Sequence, residues 1–198
     1  VIGDSYVLRK IGTHPIFSNT TTSVKNGMCP YFSLVDLKNI DRKKFAYGKI
    51  SMHSGNAAIE YIEKAVELII SGQADALVTA PINKEAINLA GFKWPGHTEF
   101  LAHLAHRPKF CMMLAGGPLK VVLATRHIAL RGVHKKLNTQ EIYDSIILTA
   151  AALKKYFNVK NPKIAVCALN PHAGEGGLFS DEEKCIIAPA IKKAKLTI

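Results

Sequence analysis

No apolar run in this sequence reaches the roughly 18 residues needed to cross a bilayer, and no signal-peptide pattern opens it. Those absences set the expectation of a cytoplasmic protein with no membrane partner. Cysteine is scarce: Cys29, Cys111, Cys167 and Cys185 are the only four, and none are paired at metal-ligand spacing. They read as buried free thiols in a reducing compartment, not as a disulfide framework. Acidic residues are few, 15 against 26 Lys and Arg, for a formal charge of +11. That surplus suits anionic partners, either phosphorylated metabolites or nucleic acid. The basic residues are scattered, however, and the densest runs are only Arg42-Lys43-Lys44, Lys135-Lys136 and Lys192-Lys193. No aromatic residues interleave with them, so a nucleic-acid surface is not expected. The dinucleotide fingerprint G-x-G-x-x-G with its acidic partner is missing too, because the glycine-rich stretch Gly174-Glu175-Gly176-Gly177 does not fit it. There is no internal repeat and no low-complexity linker.

What is present is a chain of 198 residues, 48% hydrophobic, enough for one large core or two small ones. Strand-like and helical segments alternate. Residues 1–3, 29–37, 74–79 and 163–169 read as strands. Residues 110–114 and 119–125 read as a hairpin across Gly116-Gly117-Pro118. Helices are expected at 5–11, 54–71, 83–89, 98–106, 138–157 and 180–195. The helix over 54–71 repeats Ala58, Tyr61, Ile62, Ala65, Leu68 and Ile69 at helical spacing, and Gly72 supplies its stop. Ser180 and Glu183 match a capping box, and Glu141 is placed to complete a cap on the helix from 138. Residues 13–26, rich in Thr, Ser and Asn, read as a flexible loop. The alternation predicts a layered α/β/α fold with a mixed, largely parallel sheet. The opening VIGD reads as the end of a strand already in progress.

Ligands of open α/β sheets gather at the carboxyl ends of strands, and three such ends carry unusual polar residues. In ALVTAPINKEAI, Thr79, Asn83 and Lys84 follow a strand. In VVLATRHIALRGV, His127 follows Thr125 and Arg126. In KIAVCALNPHAGEGG, Asn170 and His172 open the glycine-rich loop. If these strands share a sheet edge, their tips converge on one crevice. Histidine is the commonest metal ligand, but two histidines are not a site, since a catalytic metal needs three protein groups and an open position. A capped or solvated side chain explains either histidine alone. Lys84 at a helix start opposes the helix dipole, which a ligand role would explain. In Gly96-His97-Thr98-Glu99, Thr98 is a good N-cap, and free amides beside His97 suit a phosphate or carboxylate. A plain helix cap accounts for the same residues.

Taken together these segments resemble a known family. TAPINKEAI (79–87), PGHTEFLA (95–102), MMLAGG (112–117), TRHIALRGV (125–133) and LNPHAGEGG (169–177) look like 4-hydroxythreonine-4-phosphate dehydrogenases, in the same order and spacing along essentially the whole chain. The resemblance implies a two-domain fold like that of isocitrate and isopropylmalate dehydrogenases, with residues 1–105 in one domain and 106–198 in the other. It implies a homodimer acting on a phosphorylated amino acid, with NAD as cofactor (NADP being the alternative) and a divalent metal, Zn, Mg or Co. Carried over by motif, His97 and Thr98 contact substrate, and Lys84 lines the substrate pocket as a candidate catalytic base. His127 and His172 hold the metal with a third histidine that lies outside these residues. The family extends beyond this sequence at both ends, so the residues that bind NAD are not identified here. Gly132 and His134 stand where the family commonly has an acidic residue and a proline.

The reaction so implied oxidises the C3 hydroxyl of 4-phosphooxy-L-threonine, passes hydride to NAD and releases carbon dioxide from the resulting β-keto acid. The alternative is a relative acting on 4-phospho-D-threonate or 4-phospho-D-erythronate with the same chemistry.

Overall fold

The computed structural model describes residues 1–11 and 33–198. The expected loop at 13–26 and the first part of the expected strand at 29–37 lie outside them. The chain divides into two compact units, Val1–Arg107 and Pro108–Ile198.

The first unit starts with β1 (Ile2–Gly3), α1 (Ser5–Ile11) and β2 (Val35–Asp36), and β1 and β2 pair in parallel. Two carboxylates at the strand ends fix the turn into α1. Asp4, 4% exposed, accepts from the amides of Tyr6 (2.8 Å) and Ile40 (3.1 Å). Asp36 accepts from the amides of Ser5 (3.0 Å) and Lys38 (3.2 Å). Three helices follow: α2 (Met52–Ile70), α3 (Lys84–Leu89) and α4 (His97–Leu104). The Ser51 hydroxyl accepts from the Ser54 amide at the start of α2 (3.2 Å). Its end is a left-handed Gly72 (φ 72°), with Gln73 N–H bonded to Leu68 O (2.8 Å) and Gly72 N–H to Ile69 O (3.0 Å). Only a residue without Cβ takes that turn at no steric penalty. Asn83 caps α3 through the Ala86 amide at 2.9 Å. The core is Ile59, Ile62, Ile87 and Phe100, with Phe92 and Trp94 stacked around Phe100. Each such side chain contributes about 1.5–3 kcal/mol when fully buried.

The second unit opens with the expected hairpin, β3 (Met112–Gly116) antiparallel to β4 (Leu119–Leu123). A short turn (Leu130–Gly132) leads into α5 (Val133–Lys136) and then α6 (Thr139–Phe157). Asn138 caps α6 by accepting from the Glu141 amide (2.9 Å), and Asn158 closes it in left-handed conformation (φ 55°). The chain returns through a π turn (Glu183–Ile187) into α7 (Ala188–Lys195). Ile142 and Ile146 of α6 pack on Ile187, Ala190 and Ala194, with Ile164 and Val166 against them.

The structure departs from the sequence reading in several places. Residues 74–79 and 163–169 form no strand, since neither has a ladder partner among the described residues. In 163–167 the side chains still alternate, Ile164 and Val166 inward and Lys163, Ala165 and Cys167 outward. The pattern therefore reported the pleat correctly and the pairing not at all. The helix expected over 180–195 is a π turn joined to a shorter helix. Pro189, near the start of α7, has no N–H to continue a single register. The expected capping box is absent, because Glu183 accepts instead from the Leu169 amide (2.9 Å). Thr98 is not the cap of α4 but lies inside its first turn, and the capping position is Gly96, with no side-chain bond. The residues buried along α2 are Gly55, Ala57, Ile59, Ile62, Ala65 and Val66, so its best-packed face is rotated from the expected stripe. Cys167 and Cys185 are exposed, not buried, and Cys111 is half-buried. Cys29 lies outside the described residues.

Candidate active site

In the first unit, β1, β2, α2 and the chain at 73–82 line a half-open cavity of about 550 Å³ with His97 on its wall. The stripe expected from periodicity, Ala58, Tyr61, Ile62, Ala65, Leu68 and Ile69, faces this space. The polar side chains on its wall are Ser33, Tyr61, Gln73, Thr79 and His97, and no Lys or Arg is among them. Burial first, and then the charges of Asp4, Glu60 and Asp36, push the Tyr61 hydroxyl far above its ordinary value, so it stays neutral. Among the described residues, then, no Lys or Arg lines this space. At the start of α4, Gly96 makes no side-chain cap bond, and His97, Thr98 and the acidic Glu99 form the first turn at the positive end of the helix dipole.

Lys84 is the first residue of α3 and is exposed. It does not line the cavity, and the neighbouring Asn83 side chain is used as the cap. The first unit thus brings His97 and Thr79 to one space and leaves Lys84 outside it.

In the second unit His127 follows β4 on an exposed bend with left-handed backbone, φ 50°. The preceding Arg126 lies over the Phe110 ring at 4.6 Å and lowers the Cys111 thiol, against a larger upward push from burial that prevails. His172 stands at the head of a loop with unusual backbone. Ala173, Gly174, Glu175, Gly176 and Gly177 all have positive φ, at 49°, 73°, 43°, 69° and 106°. Two of these five carry a Cβ, and a left-handed residue with a Cβ costs about 1–2 kcal/mol. Strain of this kind persists where the surroundings over-determine it, and it clusters at functional sites. The surroundings here are specific. Asn170 accepts from the amides of His172 (2.9 Å) and Gly174 (3.4 Å). A Cβ on Gly174 would lie 2.6 Å from Ser180 O, so the loop sits directly on the start of the returning chain.

The His172 ring is held as well. Its Nδ1 lies 3.0 Å from Glu175 Oε1, and the Phe179 ring lies beside it, tilted by 60° with centroids 5.6 Å apart. Sequence reasoning singled out His172 and missed Glu175 and Phe179. The available signal was the i, i+3 spacing of His172 and Glu175. Among the described residues no three His, Cys, Asp or Glu side chains gather as a metal cage.

The folded chain is therefore of the α/β class, with its polar loops carrying the candidate chemistry. It belongs to the family of Pyridoxal phosphate biosynthetic protein PdxA, which it matches over residues 1–197. It is 46% identical over 171 residues to a 4-hydroxythreonine-4-phosphate dehydrogenase of Geobacter metallireducens, covering 86% of this chain and 49% of the relative. It is 45% identical over 148 residues to the D-threonate 4-phosphate dehydrogenase of Salmonella typhimurium, covering 75% of this chain and 45% of that one. Its fold matches the crystal structure of a 4-hydroxythreonine-4-phosphate dehydrogenase from Klebsiella pneumoniae with a TM-score of 0.88 at 34% identity, covering all of this chain and 61% of the other. The chain spans about half the length of the curated relatives it matches.

Proposed function

We propose that the protein serves as an NAD-dependent 4-hydroxythreonine-4-phosphate dehydrogenase, converting 4-phosphooxy-L-threonine to 3-amino-2-oxopropyl phosphate on the route to vitamin B6. The observation that carries this reading is the family match over nearly the whole chain, joined to the strained loop that presents His172. In the reaction the C3 carbon loses hydride to the nicotinamide and its hydroxyl loses a proton. The β-keto acid then loses carbon dioxide. When bound, NAD (or NADP as the alternative) would supply the hydride acceptor, and a divalent ion held in part by His127 and His172 would supply Lewis-acid polarisation of the substrate hydroxyl.

The chain's own residues take the following roles in this reading. The α4 start, with His97 and Thr98, binds the anionic substrate. Lys84 is the candidate base. His127 and His172 are two of the metal ligands. The donor chemistry fits a metal: an imidazole whose other ring nitrogen is held by a carboxylate is the usual arrangement of a ligating histidine. Imidazole donors favour a transition ion such as Zn²⁺ or Co²⁺ over Mg²⁺, which prefers oxygen. The two units belong to the two domains of the enzyme, and the reading includes a cytoplasmic homodimer. No helix among the described residues is long and apolar enough to cross a membrane.

A second reading, oxidation of 4-phospho-D-threonate or 4-phospho-D-erythronate, is favoured by the Salmonella relative. One assay decides. This chain, lengthened at both ends to the size of its relatives, is given each substrate with NAD or NADP and Zn²⁺, and NADH or NADPH is followed by absorbance. A higher kcat/KM for 4-phosphooxy-L-threonine is expected. A preference for the threonate reverses the order of the two readings, and turnover of neither sinks both.

A further inference from the structure

We infer that Glu175 is a positioning residue for His172, holding the imidazole in its Nδ1–H form so that Nε2 keeps its lone pair for a metal ion. The inference rests on the metal role proposed above for His172, and the arms of its test separate the two. Three observations in the second unit carry it. The first is the 3.0 Å contact between His172 Nδ1 and Glu175 Oε1. A carboxylate has only acceptors at neutral pH, so the proton of that bond sits on Nδ1 and Nε2 is left unprotonated in the neutral ring. The second is that Nε2 has no hydrogen-bond partner among the described residues, while the side chain is 62% exposed. The ring is anchored through one nitrogen and open at the other. The third is the backbone. Glu175 reaches His172 only because Ala173 and Glu175 are themselves left-handed, at φ 49° and 43°. A solvated pair between the two side chains is worth too little to stabilise that conformation. The loop is instead fixed from below, by Asn170 and by Gly174 against Ser180. The i, i+3 pair is therefore delivered by the fold and does not drive it.

The test uses the chain lengthened at both ends as in the assay above, labelled with ¹⁵N, because two histidines alone do not make the site. Imidazole ¹⁵N–¹H spectra near pH 8, well above the ordinary histidine value of about 6.5, read the tautomer without metal. Competition with a chelating dye reads the Zn²⁺ affinity. The unsubstituted chain is expected to show His172 as the Nδ1–H form. Glu175→Ala is expected to shift it toward Nε2–H and to weaken Zn²⁺ binding roughly 10–100-fold. Glu175→Gln, which keeps an acceptor oxygen, is expected to recover part of both, and it decides the matter if the alanine variant does not fold. An unchanged His172 tautomer in folded Glu175→Ala, or no difference between Glu175→Gln and a Glu175→Leu variant without an acceptor, overturns the inference whatever the affinity does. A Zn²⁺ affinity for Glu175→Ala within about twofold of the parent, when His172→Ala has lost binding, overturns it and leaves the metal reading standing. Equal affinity in parent and His172→Ala overturns the metal reading and the inference with it.

Discussion

Gly55→Ala is the substitution whose sign separates local propensity from packing in this protein. Gly55 is buried in the first turns of α2. Taken alone, the exchange favours the helix, because alanine exceeds glycine by about 1 kcal/mol in a helix interior. The fold opposes it. A Cβ at this position would collide with the carbonyl of Ala86 and lie 3.0 Å from the Ile87 amide nitrogen. Those are backbone atoms of α3, so no rotamer change relieves the contact and α2 and α3 must separate. Separation loosens Ile59 and Ile62 from Ile87, all three buried in the same cluster. Overpacking of this kind costs typically 1–3 kcal/mol and more when backbone must move. Contact with backbone places Gly55→Ala at the upper end of that range or beyond it, so the expected net loss after the propensity gain is about 1–3 kcal/mol. Trp94 is the only tryptophan in the chain and packs on Phe100 in this cluster, so its fluorescence reports the first unit. Urea titration followed at Trp94 should show a lower midpoint with little change in slope. A variant as stable as the parent, or more so, would refute the reasoning and mean that the α2–α3 contact opens freely.

Ile59→Ala should destabilise the first unit by about 2–5 kcal/mol, because Ile59 is only 1% exposed. Leu68→Ala should cost clearly less, since Leu68 is half-buried and faces the cavity, and the same Trp94 titration compares the two. Glu175→Gly should stabilise the second unit by about 1 kcal/mol through relief of the left-handed strain, while Zn²⁺ binding falls; circular dichroism melts and the dye competition read the opposite signs. For Asp36, burial raises the carboxyl pKa, but hydrogen bonds from Ser5 and Lys38 and the Lys38 charge outweigh it, so the pKa ends below the ordinary value. A depressed pKa gives stability that is present above the unfolded value of about 3.9 and lost as pH falls through the lower folded value. Asp36→Asn should therefore flatten the fall in urea midpoint between pH 5 and pH 2, and an unchanged fall would remove Asp36 from the acid transition.

Local signals carried much of the fold. The period of apolar residues placed α2, and Gly72 and the cap at the start of α6 marked helix ends, because caps and turns are made by residues adjacent in sequence. What was not legible depends on distant atoms. The alternation in 163–167 is genuine, yet whether it is a strand depends on a ladder partner that no local pattern names. Thr98 is a good cap by residue type, but α4 starts two residues earlier and Gly96, in extended conformation, takes the position. The face of α2 was misjudged for a related reason. Periodicity identifies an apolar stripe, and this helix has two adjoining ones, one on α3 and α4 and one on the cavity. Which is packed more tightly follows from Gly55 and the close approach of α3, which the stripe does not show.

The candidate metal residues show how function-related structure hides from a propensity reading. His127, Ala173 and Glu175 all occupy left-handed backbone, where no rule of residue preference would put an alanine or a glutamate. The sequence compensates at a distance. Glu183 fails as a capping-box residue because its carboxylate binds the Leu169 amide, tying the chain that enters the His172 loop to the start of the returning helix. Gly174 then lies so close to Ser180 O and Glu183 Oε2 that any side chain would have to displace one of them, the latter 2.9 Å from a built Cβ. Two broken local rules, the lost cap and the strained loop, are thus parts of one arrangement. A loop fixed this way presents His172 with little conformational freedom left to lose on binding, which is the physical advantage of preorganisation. The strain at Ala173 and Glu175 is the stability given up for that rigidity.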